Sequence, residues 1–241
     1  MKAPDIVSNR INRLPLGYVF TYEEFYSEVS QTDALIKALS RLVSDGKIRR
    51  LSKGRFYKPV FSEFGELKPE IYQVVKDLLE QKGKIIGYLT GYSAYNQLGL
   101  TTQVSSIIQI GTNETKKGIK RGMYRIRFIK QSNNITKENI PILRILDAIR
   151  NIKEIPDSKV EESGKIFLGL IKKLEKEEQE LFIRLTKKYN PATRALAGAI
   201  FEMNFGKEAA EIIYSSLNPS SEYELGISEK ILTNKQKWNI I

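Results

Sequence analysis

The sequence lacks both cysteine and histidine. Their absence excludes Cys-His and Ser-His-Asp triads and zinc sites with thiolate or imidazole ligands, which removes most hydrolase mechanisms. Neither G-x-G-x-x-G nor G-x-x-x-x-G-K followed by Ser or Thr occurs, so the phosphate-cradling loops of dinucleotide-binding and P-loop proteins are absent as well. We therefore predict no cofactor, no metal site and no enzymatic activity.

Long apolar runs are also missing, since none approaches the ~18 residues that cross a bilayer. The start, Met-Lys-Ala-Pro-Asp, lacks the apolar core of a signal peptide, so we expect a cytoplasmic protein without membrane contact. Paired carboxylates occur at 23–24, 161–162 and 177–178, but adjacent residues on a helix point to different sides. A metal-dependent nuclease that uses only Asp, Glu and Lys stays open as an alternative.

Positive charge is what the sequence has in excess, with a formal net charge of +11 and a pI near 9.6. Residues 1–60 contain eleven basic and six acidic side chains, and residues 113–130 contain seven and one. Clustered Lys and Arg release condensed counterions when they meet phosphates. The charge therefore favours a polyanionic partner.

The first part of the chain has the element order of a winged helix-turn-helix domain. Apolar spacing and the Thr21–Glu24 capping box predict a helix at 6–14, a short extended piece at 17–20 and helices at 21–29 and 33–45. A hairpin with strands at 47–51 and 55–58 follows them. On the third helix the polar residues share one sector, which suits a helix in a major groove. These residues are Asp33, Lys37, Ser40 and Ser44, with Arg41 beside them.

The hairpin, or wing, concentrates positive charge. Its basic residues have no acidic neighbour in the sequence, which is costly on a small domain unless phosphates relieve the repulsion. They are Arg49, Arg50, Lys53 and Arg55. We expect this wing and the third helix to bind double-stranded DNA. The alternative is that the winged helix serves as a protein-interaction module.

The rest of the chain is expected to form two further domains. We predict an α+β protein made of a winged helix-turn-helix (1–61), a middle α/β domain with a small sheet (66–157) and a C-terminal helical region (158–241). In the middle domain, strands at 104–110 and 124–129 flank a hairpin-like basic loop. In the C-terminal region, helices are predicted at 166–189, 191–205 and 207–217.

The basic loop and the strand after it form a possible second basic patch. Its members are Lys116, Lys117, Lys120, Arg121, Arg125 and Arg127. Arg125 and Arg127 would share one strand face with Met123, because side chains alternate along a strand. The patch could hold phosphate or be an ordinary solvated loop.

Several motifs resemble those of the abortive-infection AbiE-type antitoxins, the transcriptional regulators of bacterial type IV toxin-antitoxin operons. The similarity covers nearly the whole chain, with Phe56 as a departure where the wing would carry a smaller or aliphatic residue. The motifs are Gly46-Lys-Ile-Arg-Arg-Leu-Ser-Lys-Gly-Arg-Phe-Tyr57, Thr90-Gly-Tyr-Ser-Ala-Tyr-Asn-Gln-Leu-Gly-Leu100, Tyr189-Asn-Pro-Ala-Thr-Arg-Ala-Leu-Ala-Gly-Ala199, Leu217-Asn-Pro219 and Tyr223-Glu-Leu-Gly-Ile227.

The resemblance implies an autorepressor that binds inverted repeats in its own promoter, as a dimer or cooperatively. It also implies that the protein counteracts a partner nucleotidyltransferase toxin, without necessarily touching it. By matching position, Thr32, Lys37, Ser40 and Arg41 would approach base edges and phosphates. The basic residues of the wing would meet the backbone or an adjacent minor groove.

Overall fold

A computed structural model describes residues 3–241 and shows a mixed α+β fold. The chain divides into two compact units. Unit 1 contains the residues up to Asp77 together with Lys120–Tyr124, and unit 2 contains Leu78–Ile119 and Arg125–Ile241. Unit 1 is therefore discontinuous in sequence and extends well beyond the predicted boundary at residue 61.

Helices and strands alternate in the first half, and helices dominate the second. Within residues 3–241 the α-helices are α1 (Ala3–Arg13), α2 (Thr32–Ser44), α3 (Ile71–Leu79), α4 (Tyr92–Gln97), α5 (Asn139–Arg150), α6 (Val160–Lys172), α7 (Lys176–Thr186), α8 (Pro191–Phe205) and α9 (Lys207–Tyr214). The strands are β1 (Val19–Thr21), β2 (Arg49–Ser52), β3 (Arg55–Tyr57), β4 (Val60–Ser62), β5 (Gly65–Leu67), β6 (Glu80–Gln81), β7 (Lys84–Ile85), β8 (Tyr88–Thr90), β9 (Ile107–Thr112), β10 (Ile119–Arg121) and β11 (Tyr124–Lys130). No helix in this range has both the length and the apolar composition needed to cross a bilayer.

Unit 1 packs α1 and α2 against a three-stranded antiparallel sheet of order β1-β3-β2. Its core contains Phe20, Phe25 and Phe56, whose rings lie 5.8 Å (Phe20–Phe25) and 5.9 Å (Phe20–Phe56) apart between centroids. The predicted first helix, third helix and hairpin are present at these places. Phe56, the departure noted in the wing, is fully buried in this core.

The second predicted helix is reduced to a 3-10 turn at Tyr22–Phe25. The Glu24 carboxylate accepts from the Thr21 N–H at 3.4 Å, so the start was correctly placed. The α-helix does not continue, because the chain must bury both Phe25 and Val29 within a short segment that contains Ser27 and Ser30, residues that favour turns.

The predicted connector at residues 62–66 belongs instead to a second hairpin. β4 and β5 pair antiparallel, with Val60 opposite Leu67 and Ser62 opposite Gly65. The Ser62 hydroxyl accepts from the Phe64 N–H at 3.2 Å and closes the turn, while Gly65 takes a φ of +109°. Three-residue strands are too short to reveal an alternating pattern in the sequence.

Unit 2 contains most of a four-stranded sheet of order β10-β11-β9-β8. β9 pairs parallel with β11 and antiparallel with β8. The prediction of a hairpin-like connection between β9 and β11 was wrong, because parallel neighbours need a crossover. β10 lies in this crossover at the sheet edge and turns into β11 through Gly122 and Met123.

One hydrophobic core runs from Tyr88 in β8 to Ile240 near the end of the chain. The expected boundary at residue 158 therefore lies inside a single packed unit, because α5 and α6–α9 bury their apolar faces together. The helix predicted at 166–189 is two helices, α6 and α7. The break occurs near Glu175, whose N–H donates to the Glu178 carboxylate at 3.0 Å and so starts α7.

One close approach in this core lies between α8 and the single tryptophan. A Cβ added at Gly198 would lie 2.3 Å from Trp238 Cζ3 and 2.9 Å from Ile213 Cγ2. We expect Gly198→Ala to lower the free energy of unfolding by about 1–3 kcal/mol, because overpacking forces the neighbours to move. Urea denaturation followed by Trp238 fluorescence measures this loss.

The matched control is Gly169→Ala in α6, where nothing lies within 4 Å of the added Cβ. There the better helix propensity of alanine should stabilise the protein by about 0.5–1 kcal/mol. Equal effects of the two substitutions would show that helix propensity, and not close packing, sets the outcome.

Candidate nucleic-acid interface

The outer face of α2 carries four of the eight residues predicted to bind DNA. Thr32, Lys37, Ser40 and Arg41 are all exposed, together with Asp33 and Ser44. The opposite face is fixed in the unit 1 core by Leu35, Leu39 and Leu42. The alternation of buried and exposed positions follows the 3.6-residue period, so the apolar stripe orients the polar face outward.

The β2–β3 hairpin follows α2 directly and packs on the same core. Its turn contains Lys53 and Gly54, and Gly54 takes a φ of +73° that suits glycine. A bulge between Arg50 and Ser52 interrupts the pairing. The Arg50 guanidinium lies over the Phe56 ring, 5.5 Å from its centroid, and Arg50 and Lys53 are exposed.

The other two arginines of the hairpin have acidic partners, contrary to the expectation from the sequence. Arg49 Nε donates to Glu66 Oε2 at 2.9 Å, and its Nη1 donates to the Gly46 carbonyl at 2.8 Å. Glu66 also accepts from the Tyr57 hydroxyl at 2.8 Å; burial, followed by this contact with the carboxylate, raises the pKa of Tyr57 to about 12. Glu66 lies on β5, outside the winged-helix domain predicted for residues 1–61.

Asp77 of α3 is the second acidic partner and joins two arginines. Arg55 Nη2 donates to its Oδ2 at 2.7 Å, while Arg121 donates to both its oxygens at 2.5 and 2.7 Å. Arg121 also donates to the Val74 carbonyl at 2.7 Å. Burial alone would raise the pKa of Asp77, but hydrogen bonds and charge from Arg121 and then Arg55 hold it below the ordinary value.

Only some members of the predicted second basic patch are exposed. Arg121 does not belong to it, since its side chain is 5% exposed and bound to Asp77. Lys116 is half-buried and lies 3.8 Å from Glu114. The remaining members are exposed: Lys117, Lys120, Arg125 and Arg127. Arg125 and Arg127 share the exposed face of β11 as predicted, while Met123, also exposed, lies in the turn before β11.

Arg121 and the six cations predicted to bind DNA thus fall into two groups. Arg49, Arg55 and Arg121 are held by carboxylates. In the part of the chain that the structure describes, no carboxylate lies within 4.0 Å of Lys37, Arg41, Arg50 or Lys53. We call these four exposed cations the basic set. Within residues 3–241, no group of three or more potential His, Cys, Asp or Glu metal ligands occurs.

Unit 2 contains a buried polar network that the sequence patterns did not predict. Asp147 of α5 accepts from the Tyr88 and Thr90 hydroxyls at 2.6 and 2.7 Å and from the Tyr189 hydroxyl at 2.8 Å. Gln131 Nε2 donates to both tyrosine hydroxyls at 3.0 and 2.9 Å. Burial raises the pKa of Asp147, although the three hydroxyl donors oppose the shift.

A signal for this network was present in the sequence. Asp147 follows Leu143 by one helical turn on a helix whose neighbouring positions are almost all apolar. A carboxylate at such a position is buried only when it has partners. The sequence could not identify those partners, because they come from β8, from the end of β11 and from the segment before α8.

Comparison with known families gives one match, to the family of unknown function DUF6088, over residues 6–181. The chain belongs to this family. The matched range in this DUF6088 protein includes both the basic set and Asp147. Among curated proteins, no relative matches the sequence.

A solved structure with a similar fold is the RV2827C protein from Mycobacterium tuberculosis. The TM-score is 0.59 at 14% sequence identity, and the similarity covers 90% of the DUF6088 chain and 82% of the mycobacterial chain. At this identity the likeness describes the fold alone.

Asp77 provides a test of how the hairpin is held. We expect Asp77→Asn to lower the free energy of unfolding by about 1.5–3 kcal/mol at pH 7, the range for hydrogen bonds to charged groups. Because the pKa of Asp77 is lower in the folded chain, its stabilisation is present above the unfolded pKa, near 3.9, and is lost as the pH falls through the folded pKa.

Urea denaturation followed by circular dichroism at several pH values measures this effect. The difference between the original protein and the variant should be largest near neutral pH and shrink below about pH 4. Glu63→Gln, at an exposed position in the β4–β5 turn, is the matched control and should change stability by less than about 0.5 kcal/mol. A pH-independent difference would contradict the assignment.

Proposed function

We propose that this protein is a DNA-binding antitoxin and transcriptional autorepressor of a type IV toxin-antitoxin operon. In this proposal unit 1 is a winged helix-turn-helix in which α2 is the recognition helix and the β2–β3 hairpin is the wing. The observation that carries the proposal is the basic set: two exposed cations on α2 and two on the hairpin that follows it.

The arrangement on α2 suits a duplex. Polar residues on the exposed face of a helix can reach base edges in a major groove, and Lys and Arg beside them can contact phosphates. Thr32 and Ser40 would supply hydroxyl groups, while Lys37 and Arg41 would supply charge. The acidic Asp33 on the same face would favour contacts with cytosine amino groups over phosphates.

Arg49 and Arg55 take a different role in this proposal from the one expected. Each is engaged by a carboxylate, so binding to phosphate would require an exchange of partners. We propose that they brace the hairpin while Arg50 and Lys53 contact the backbone or an adjacent minor groove. A hairpin that is already ordered before it meets DNA binds more tightly, because less side-chain and loop entropy is lost on association.

The antitoxin part of the proposal is supported by the motif resemblance. It implies inverted repeats in the protein's own promoter, bound by a dimer or cooperatively, and a nucleotidyltransferase toxin that the protein opposes. Two copies of a recognition helix on one operator would double the number of phosphate contacts.

The experiment is a gel shift with the upstream region of the protein's own operon. We expect Lys37→Ala/Arg41→Ala and Arg50→Ala/Lys53→Ala each to weaken binding by about tenfold or more, since charge-assisted hydrogen bonds to phosphates are lost. The control, Lys172→Ala/Lys173→Ala, removes the same charge at the exposed end of α6 and should bind like the original protein. Equal weakening by all three would argue against a specific surface in unit 1.

Salt dependence gives a second, quantitative test. If the basic set neutralises about four phosphates per protomer, the logarithm of affinity should fall against the logarithm of salt concentration with a slope of about −3.6. Lys37→Ala/Arg41→Ala should reduce the magnitude of the slope to about 1.8. Fluorescence anisotropy between roughly 50 and 200 mM salt measures both slopes. An unchanged slope in the variant would remove α2 from the proposed interface.

A further inference from the structure

Unit 2 contains a pocket whose wall is basic. Its volume is about 280 Å³, and it lies where the end of β11, the end of α5 and the connection between α7 and α8 meet. Its lining residues are Lys130, Gln131, Ser132, Arg150, Lys188, Tyr189 and Asn190. Three of these are cations and none is a carboxylate.

The buried polar network anchors the backbone next to each of the three cations. Gln131 and Tyr189 line the pocket and are 6% and 8% exposed, and each is fixed by hydrogen bonds to the network. Lys130 and Lys188 are the residues immediately before them and are exposed. Arg150 follows Asp147 by three residues on α5. Each cation therefore projects from a backbone segment that the network anchors.

Among the described residues, no carboxylate lies within 4.0 Å of the three cations of the pocket. The buried Asp147 carboxylate attracts Arg150, and Lys188 also lines a neighbouring cavity with Glu177 and Glu180, so part of the charge is offset at longer range. Like charges held close together repel, and the repulsion grows where protein walls exclude water. Lys188 Nζ lies 3.4 Å from the Ser132 carbonyl, which is a neutral partner. Asn190 caps α8 by accepting from the Thr193 N–H at 2.8 Å, so the positive end of that helix dipole adds to the same field.

We propose that this pocket binds the phosphate group of a small phosphomonoester. A phosphate dianion accepts several charge-assisted hydrogen bonds at once, and Arg150 with its forked donors and the two lysines match that requirement. Ser132 and Asn190 supply neutral polar groups at the rim. The volume lies just below the ~300 Å³ at which pockets for drug-sized ligands begin, so it suits a sugar phosphate better than a polymer.

The site is separate from the basic set, which belongs to unit 1. The inference goes beyond the proposed function and does not depend on it. Loss of DNA binding in the α2 variants would leave this pocket unaffected, and loss of phosphate binding here would leave the gel shift unaffected.

The experiment is isothermal titration calorimetry of the full chain with ribose 5-phosphate, inorganic phosphate and ribose at fixed ionic strength. We expect ribose 5-phosphate to bind, ribose not to bind, and the melting temperature to rise with ribose 5-phosphate concentration, because a ligand of the folded state stabilises it. Binding of inorganic phosphate with similar affinity would show that the dianion itself supplies the recognition, as proposed. Failure of both phosphates to bind would overturn the proposal.

Matched variants decide whether binding occurs in this pocket. Arg150→Ala and Lys188→Ala should each weaken ribose 5-phosphate binding by about tenfold or more. Lys153→Ala and Lys187→Ala remove neighbouring exposed cations that do not line the pocket and should leave the affinity within about twofold. Unaltered Trp238 fluorescence melting without ligand establishes that each variant is folded. Equal losses in both pairs would indicate attraction by general surface charge and would overturn the proposal.

Discussion

The carboxylate of Asp77 holds together parts of unit 1 that are far apart in sequence. It lies on α3 and receives hydrogen bonds from Arg55 of the β2–β3 hairpin and from Arg121, which belongs to the separate segment 120–124. Arg121 is nearly buried, so without this carboxylate it would leave a desolvated charge with only the Val74 carbonyl as partner. Through Arg55 the same carboxylate also contacts β3, which pairs with the strand that carries Arg50. The Arg49–Glu66 pair supports the other strand of the hairpin in the same way.

Composition alone could not predict which basic residues pair with carboxylates and which remain exposed. In sequence the four cations of the hairpin look equivalent, yet two stabilise the domain and two are exposed. Local patterns predicted α2, the hairpin, α8 and the alternation of Arg125 and Arg127, because each depends on neighbours within one or two turns. The partners Glu66, Asp77 and Arg121 could not be predicted, since pairing across tens of residues depends on tertiary packing. The same reason explains the parallel pairing of β9 with β11 and the core shared by α5 and the last four helices.

In unit 2 the buried carboxyl group of Asp147 is bound by hydroxyl groups and not by arginines. Asp147 receives three O–H donors, and the amide of Gln131 links two of those donors to the strand end. A network of this kind is costly if any member is left without a partner, which ties β8, β11, α5 and the start of α8 to one geometry. Asp147 in an apolar helix was the one part of this arrangement visible in the sequence. The two units therefore illustrate two ways of burying a carboxylate: by opposite charge near a surface and by neutral donors in the interior.

The discontinuity of unit 1 has a consequence for synthesis on the ribosome. The α2 helix and the hairpin leave the exit tunnel early, but Arg121 emerges only 44 residues after Asp77. At translation rates of roughly 5–20 residues per second, roughly 2–10 s pass between the synthesis of Asp77 and the synthesis of its partner Arg121. During that interval Arg55 is the only one of the two arginines that can bind Asp77. The segment that carries Arg121 must be in place before unit 1 reaches its final stability. Unit 1 thus cannot be completed until the first 42 residues of unit 2, Leu78–Ile119, have been synthesised.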